Sequence, residues 1–239
     1  MRAYLAQTGM ELRLTARRGE NVLVTLVIPL LLLLFFASLN LFPGSSKPVD
    51  FLLPGILALA IMSAGMVSLG IATAYERHYG VLKRLGGSPL SRGALIAAKI
   101  TSIVALEAVQ GVLLVGVAVL AFGWTTNGSL PWAVVVALLG TTTFAGLGLL
   151  MAGALRAEAT LAGANGLFLV FALIGGVFLP IDHLPAAVAA VSRYLPVTAL
   201  ADLLRAALGG GSLPGFSLVV LVLWTAAIVA LTVRTFRWE

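Results

Sequence analysis

The sequence predicts an all-α integral membrane protein of six transmembrane helices. It also predicts an interfacial helix at the N-terminus, a short helix in the main cytoplasmic loop, and short extracellular amphipathic helices before the last span. Three observations predict this. Charged residues make up 10% of the 239 and apolar ones 60%, with mean hydropathy +1.09; soluble domains carry about 25% charge. Six apolar runs reach the ~20 residues needed to cross a bilayer. The basic residues also fall overwhelmingly on one side of those runs.

Residues 1–21 read as an interfacial amphipathic segment, with Leu12 and Leu14 beside Arg13, Arg17 and Arg18. Anionic lipid is one partner for this basic strip and a soluble protein is the other. Residues 22–42 form the first run. It exceeds the 7–15 residues of a signal-peptide core and is expected to remain as an anchor. The further runs are 52–74, 92–123, 131–154, 159–180 and 216–236, each expected as an α-helix because lipid leaves the backbone no other partner. The third is longer than a bilayer requires and is expected to tilt or project. An even number of crossings puts both termini on one side. That side holds twelve Arg and Lys residues and the other holds Lys47, Arg193 and Arg205, so the twelve mark the cytoplasm. Small residues four apart, Ala162/Gly166 and Ala172/Gly176, and the run AGLGLLMAGAL allow close helix approach, within one chain or against a second copy.

The loop at 75–91 separates spans two and three. Tyr75, Tyr79, Leu82 and Leu85 recur at helical spacing, with Arg77, Lys83 and Arg84 mostly off that stripe, which predicts a short surface helix. Gly86-Gly87 stops it, Ser88 is placed to cap the next helix, and Pro89 suits that helix's first turn. Retention of basic residues in the cytoplasm accounts for the charge but not for this order of residues. At 181–211 two short amphipathic helices are expected, after Pro185 and after Pro196, with Thr198 as a cap. Asp202 and Arg205 lie three apart on the polar face, where they can pair, and Gly209-Gly210-Gly211 ends the second helix. A structural cap and an outer gate are both open readings of this element. Within the spans, Glu107 is the one deep acid, with Gln110 one turn on, and Asn165 is a further polar candidate for the interior. Such groups face partners or a polar route.

Two stretches carry a family resemblance. ERHYGVLKRLGGSPLSR, followed by Lys99, and GGVFLPIDHLPAAVAAVSRYLPVTALADLLRAAL, residues 175–208, resemble the cytoplasmic loop and the outer element of bacterial ABC type-2 transporter permeases. The resemblance covers essentially the whole chain. It departs at His78 and Lys83, where many members carry acidic residues, and this bears on the polarity of the partner's docking surface. The resemblance implies one transmembrane domain over 1–239 in the bacterial plasma membrane. It implies that the chain serves as a half-transporter beside a second permease copy, identical or not, with a cytoplasmic ATP-binding-cassette ATPase dimer as the motor. The loop helix then becomes a cytoplasmic coupling helix, with Tyr79, Leu82, Lys83, Arg84, Leu85 and Pro89 as the coupling residues. ATP and Mg belong to the ATPase, and the cargo class implied is amphiphilic: drug, lipid or glycolipid.

The residues agree that nucleotide chemistry lies elsewhere, since no G-x-x-x-x-G-K-[ST] loop is present. Cysteine is absent, which removes thiolate metal sites and cysteine nucleophiles. His78 and His183 fall on opposite sides of the membrane, and neither H-E-x-x-H nor G-x-S-x-G occurs. No metal, bound cofactor or catalytic residue is expected, so the chain reads as a permease and not an enzyme. The net charge of +6 lies beside apolar runs, which suits lipid headgroups and not nucleic acid. The alternative function is a secondary transporter driven by an ion gradient through Glu107. A membrane scaffold without transport is the third.

Overall fold

In the computed structural model, described over residues 2–17, 19–39, 47–87 and 89–235, every regular element is helical. In order these are α1 (Arg2–Arg17), α2 (Gly19–Ser38), α3 (Pro48–Met62), a π-helical turn (Ser63–Ser68) and α4 (Leu69–His78). Then follow α5 (Val81–Gly86), α6 (Arg92–Phe122), α7 (Leu130–Ala154), α8 (Ala157–Ile174), α9 (Ala186–Ser192), α10 (Pro196–Gly209) and α11 (Gly215–Thr235). Five helices among the described residues are long and apolar enough to cross a membrane: Pro48–His78, α6, α7, α8 and Gly215–Arg234. The pair α9 and α10, bent by 78°, would make a sixth if counted as one broken span. The first predicted run falls on the 20-residue α2, whose described apolar stretch is Thr25–Ser38. Residues 40–42 of that prediction lie outside the described residues.

The continuous helix Pro48–His78 is the centre of the bundle. Of its apolar window 78% is buried, against 22% for α6 and 28% for α8. Its crossing with α7 is backbone to backbone. A Cβ on Gly70 would stand 2.9 Å from Gly148 Cα, and one on Gly148 2.8 Å from Met66 O, so only glycine fits. The π-helical turn sits at this crossing, where an extra residue per turn re-aims the helix. The AGLGLLMAGAL run is thus used within the chain. Ala162 and Gly166 on α8 instead face outward, and a Cβ on Gly166 would meet nothing within 4 Å.

The two ends of the bundle are distinct. At one end Lys47, before α3, donates to Gly123 O after α6 at 2.8 Å, and Ser129 N, before α7, donates to Ala207 O of α10 at 2.8 Å. At the other end α1, α5, the end of α4, the start of α6 and the α7–α8 connection gather. Two apolar cores match these ends. The larger unites α3 with α7, α10 and α11. The smaller gathers Leu69, Leu82, Leu90, Leu95 and Leu149.

Several sequence expectations are corrected. The loop helix does not extend through Tyr75: Gly80, at φ 72, breaks the chain between α4 and α5, and Tyr75 belongs to α4. The cap of α6 is Ser91, whose Oγ accepts from Ala94 N at 3.2 Å, and Pro89 lies in the turn before it. Ser88 lies outside the described residues. Thr198 is not a cap either, because Pro196 itself opens α10 and Leu195 takes the N-cap position. Finally, α10 does not lie on the surface. Val197, Leu200 and Leu203 are fully buried among α3, α7 and α11, so its amphipathic face is spent inside the bundle.

Candidate functional site

The sequence-selected residues of the loop at 75–91 separate into a buried set and an exposed set. Leu82 is 1% exposed and packs with Leu90 and Leu95, and Leu85 is half-buried against the same cluster. These two residues hold α5 to the bundle. Tyr79, Lys83, Arg84 and Pro89 are exposed, Tyr79 at 69%. The Tyr79 ring stacks on Tyr75 at 6.1 Å and meets His78 edge-on at 5.1 Å. The short helix and the Tyr79 that precedes it therefore form a knob, with Leu82 and Leu85 toward the protein and Tyr79, Lys83 and Arg84 away from it.

The two residues of α4 just before this knob tie it to different helices. Glu76 accepts from Lys99 Nζ of α6 at 2.6 Å, and the same ammonium lies 3.0 Å from Glu11 of α1. Gln7 Nε2 donates to Glu11 at 2.8 Å. Lys99 is 0% exposed, among the largest fully buried side chains described. Burying an ammonium is tolerable here only because two carboxylates satisfy it. Arg77 turns the other way. Its guanidinium donates to Gly153 O and, at 2.9 Å, to Leu155 O, so it caps the carboxyl end of α7. Tyr4 and Thr101 share a 2.8 Å hydroxyl hydrogen bond that fixes α1 along α6.

Sequence reasoning missed the Glu11–Lys99–Glu76 group. It counted Lys99 among the cytoplasmic positive charges and weighed only lipid or a soluble partner for the N-terminal segment. The available signal was Glu11 in a mainly basic strip, together with Glu76 and Lys99 on either side of the turn between spans two and three. Nothing in periodicity joins residues so far apart.

Deeper in the bundle, Glu107 accepts from the Thr141 hydroxyl of α7, and its Oε1 is buried with no hydrogen bond. Gln110 has a specific reason to be there. Pro29 lacks the N–H that would bond the carbonyl four residues back, and that carbonyl, Thr25 O, accepts from Gln110 Nε2 at 2.6 Å. Glu107 and Gln110 thus reach different neighbours, α7 and α2. Asn165 is not in the interior. It is exposed on α8 and donates to Leu161 O of its own helix at 2.8 Å.

At the end of the bundle that holds Lys47 and Gly123, Arg205 Nη1 donates to Asp202 at 3.2 Å and Nη2 to Gly176 O at 2.5 Å, while its guanidinium lies 3.9 Å from the Phe51 ring centre. Asp202 also accepts from Ser217 of α11 at 3.5 Å. The pair is a junction of α3, α10, α11 and the segment after α8, not a surface ion pair. The pair Arg193–Asp182, at 3.7 Å, is by contrast exposed.

Between α2, the α3–α4 helix and α8 opens a groove of about 520 Å³ on the half of the bundle that carries α5. Thr25, Ser63, Ile71, Tyr75, Glu76 and Leu161 are among its walls. Among the described residues no group of three or more His, Cys, Asp or Glu could hold a metal.

Comparison with known proteins identifies one family. The family model described as ABC-2 type transporter matches residues 3–208. YvfS of Bacillus subtilis, named as a transport permease, is 25% identical over 206 residues, covering 82% of this chain and 81% of that protein. YbhS of Escherichia coli, named as a multidrug ABC transporter permease, is 25% identical over 182 residues, covering 75% of this chain. The chain spans about half of that relative, 47%.

Proposed function

Since the chain belongs to the ABC-2 type transporter family, a family of membrane permeases, we propose that it is the pathway-forming subunit of an ATP-driven exporter. Two copies, or this chain and a related one, enclose the pathway as a single unit over residues 1–239. A separate ATP-binding-cassette ATPase dimer binds ATP and Mg in the cytoplasm. Both termini and α5 face that ATPase. The cargo is amphiphilic, and the membrane is the bacterial plasma membrane.

One observation carries this reading. The knob α5 is anchored by Leu82 while Tyr79, Lys83 and Arg84 stand outside, and the residues just before it grip two separate groups of helices. A push on α5 therefore reaches α6 and α1 through Glu76, and α7 through Arg77. Nucleotide-dependent contacts there bias the populations of inward and outward arrangements. At the outer end the Asp202–Arg205 junction would have to rearrange for cargo to leave, which makes it the gate.

The test is reconstitution with the partner ATPase and measurement of vanadate-sensitive efflux. Lys83→Glu with Arg84→Glu is expected to abolish efflux while both subunits stay folded. Efflux that persists unchanged would remove α5 from the mechanism. The ion-gradient reading draws on the unpaired Glu107 Oε1. It predicts transport without the ATPase and its loss in Glu107→Gln.

A further inference from the structure

The groove between α2, the α3–α4 helix and α8 carries chemistry that the export reading does not use. Its volume, about 520 Å³, is in the range of pockets that hold drug-sized molecules. One wall is apolar, built from Val67, Ile71, Ala72 and Leu161. The inner rim holds Tyr75 and Tyr79, rings stacked 6.1 Å apart with 26° between planes. Glu76 is the one charged residue among its described lining residues. Lys99, which bonds Glu76 from behind, is 0% exposed and does not line the groove. Arg77 is drawn away to the α7 carbonyls.

We propose that this groove is a binding site for lipophilic organic cations, seated with the apolar body against Val67, Ile71 and Leu161 and the charge between Glu76 and the Tyr75–Tyr79 pair. Each component selects for a cation. Tyrosine faces attract positive charge through the ring quadrupole. Glu76 shares the single Lys99 ammonium with Glu11, so the group carries one carboxylate more than it has cations, and in a low-dielectric wall that excess attracts a cation and repels an anion of the same shape. The hydroxyl groups of Ser63, Ser68 and Thr25 let a polar substituent enter without leaving hydrogen bonds unmade. The position also matters. Glu76 and Tyr79 lie just before the break at Gly80 that leads into α5, so an occupant touches the residues that join the groove to the knob. This inference rests on the export reading only for naming the cation as cargo; the binding site stands on its own.

The probe pair is tetraphenylphosphonium and tetraphenylborate, alike in size and shape and opposite in charge. The full chain in phosphatidylcholine nanodiscs, without ATP or ATPase, is titrated with each ion, and empty nanodiscs are subtracted. The expected result is saturable phosphonium binding, with borate weaker by about tenfold or more. Glu76→Gln should erase the preference between the ions, Tyr79→Leu should weaken phosphonium about threefold, and Ala72→Trp should block it by filling the groove. Because neither Tyr79 nor Ala72 takes part in the Lys99 ion pairs, these two variants decide the matter if Glu76→Gln fails to fold. Equal affinity for both ions, or undiminished phosphonium binding in Ala72→Trp, overturns the proposal. Phosphonium binding that leaves the reconstituted ATPase unstimulated would instead count against the export reading, and the site would remain.

Discussion

At the scale of the residue, Lys99 is the most consequential side chain that the chain hides. Removing it leaves Glu11 and Glu76 without their ammonium, and breaking a buried ion pair in this way costs about 3–5 kcal/mol. Lys99→Met should therefore unfold well below the wild-type temperature in detergent. Adding Glu11→Gln and Glu76→Gln to it should recover most of the loss, because no unpaired charge remains. A second residue-scale prediction concerns Gln110. If its amide exists to satisfy the carbonyl that Pro29 frees, Gln110→Leu costs about 1–3 kcal/mol in the wild-type chain. In a Pro29→Ala background, where residue 29 regains an N–H, the cost should shrink. A double-mutant cycle by thermal unfolding measures the coupling, and strictly additive losses would refute the pairing.

At the scale of the element, the spans were legible because crossing length and apolar composition are local properties. Predicted runs 92–123 and 131–154 match α6 and α7 within a residue. The turn chemistry was read less well. Ser88 and Ser91 are equally good caps by type, and only the position of Pro89 in the preceding turn separates them. In α10 the amphipathic pattern was correct, but a polar stripe does not say whether it faces water or a buried junction. Arg205 answers that by donating to Gly176 O and Asp202. Replacing Asp202 and Arg205 together should impair efflux if this junction must open and close. A well-folded double variant that transports at the wild-type rate would leave it as scaffold alone. The loop stripe divides in the same way: spacing put Leu82 and Tyr79 on one face, whereas packing buries the first, at 1% exposed, and leaves the second 69% exposed.

At the scale of the whole molecule, the outward faces ask for a partner. Asn165 on α8 carries an amide to the outside of the bundle beside Ala162 and Gly166, where a second copy could approach closely. Because the chain has no cysteine, Gly166→Cys gives a single cross-linking site. Oxidation in native membranes should yield a covalent dimer, and a cysteine at Leu120 of α6, 89% exposed on a different helix, should not. Sequence alone offered small-residue spacing in three places and could not tell which faced inward, because that depends on helix rotation within the bundle. The same cysteine-free background tests the central claim, that the ATP cycle is felt through α5. Lys83→Cys is co-expressed with the partner ATPase, and a short bifunctional maleimide reagent is applied to inverted vesicles with ATP and vanadate or with none. The account predicts a permease–ATPase adduct whose yield changes with nucleotide. No adduct at position 83 in either state, with an adduct forming instead from a cysteine at Arg13 of α1, would contradict it.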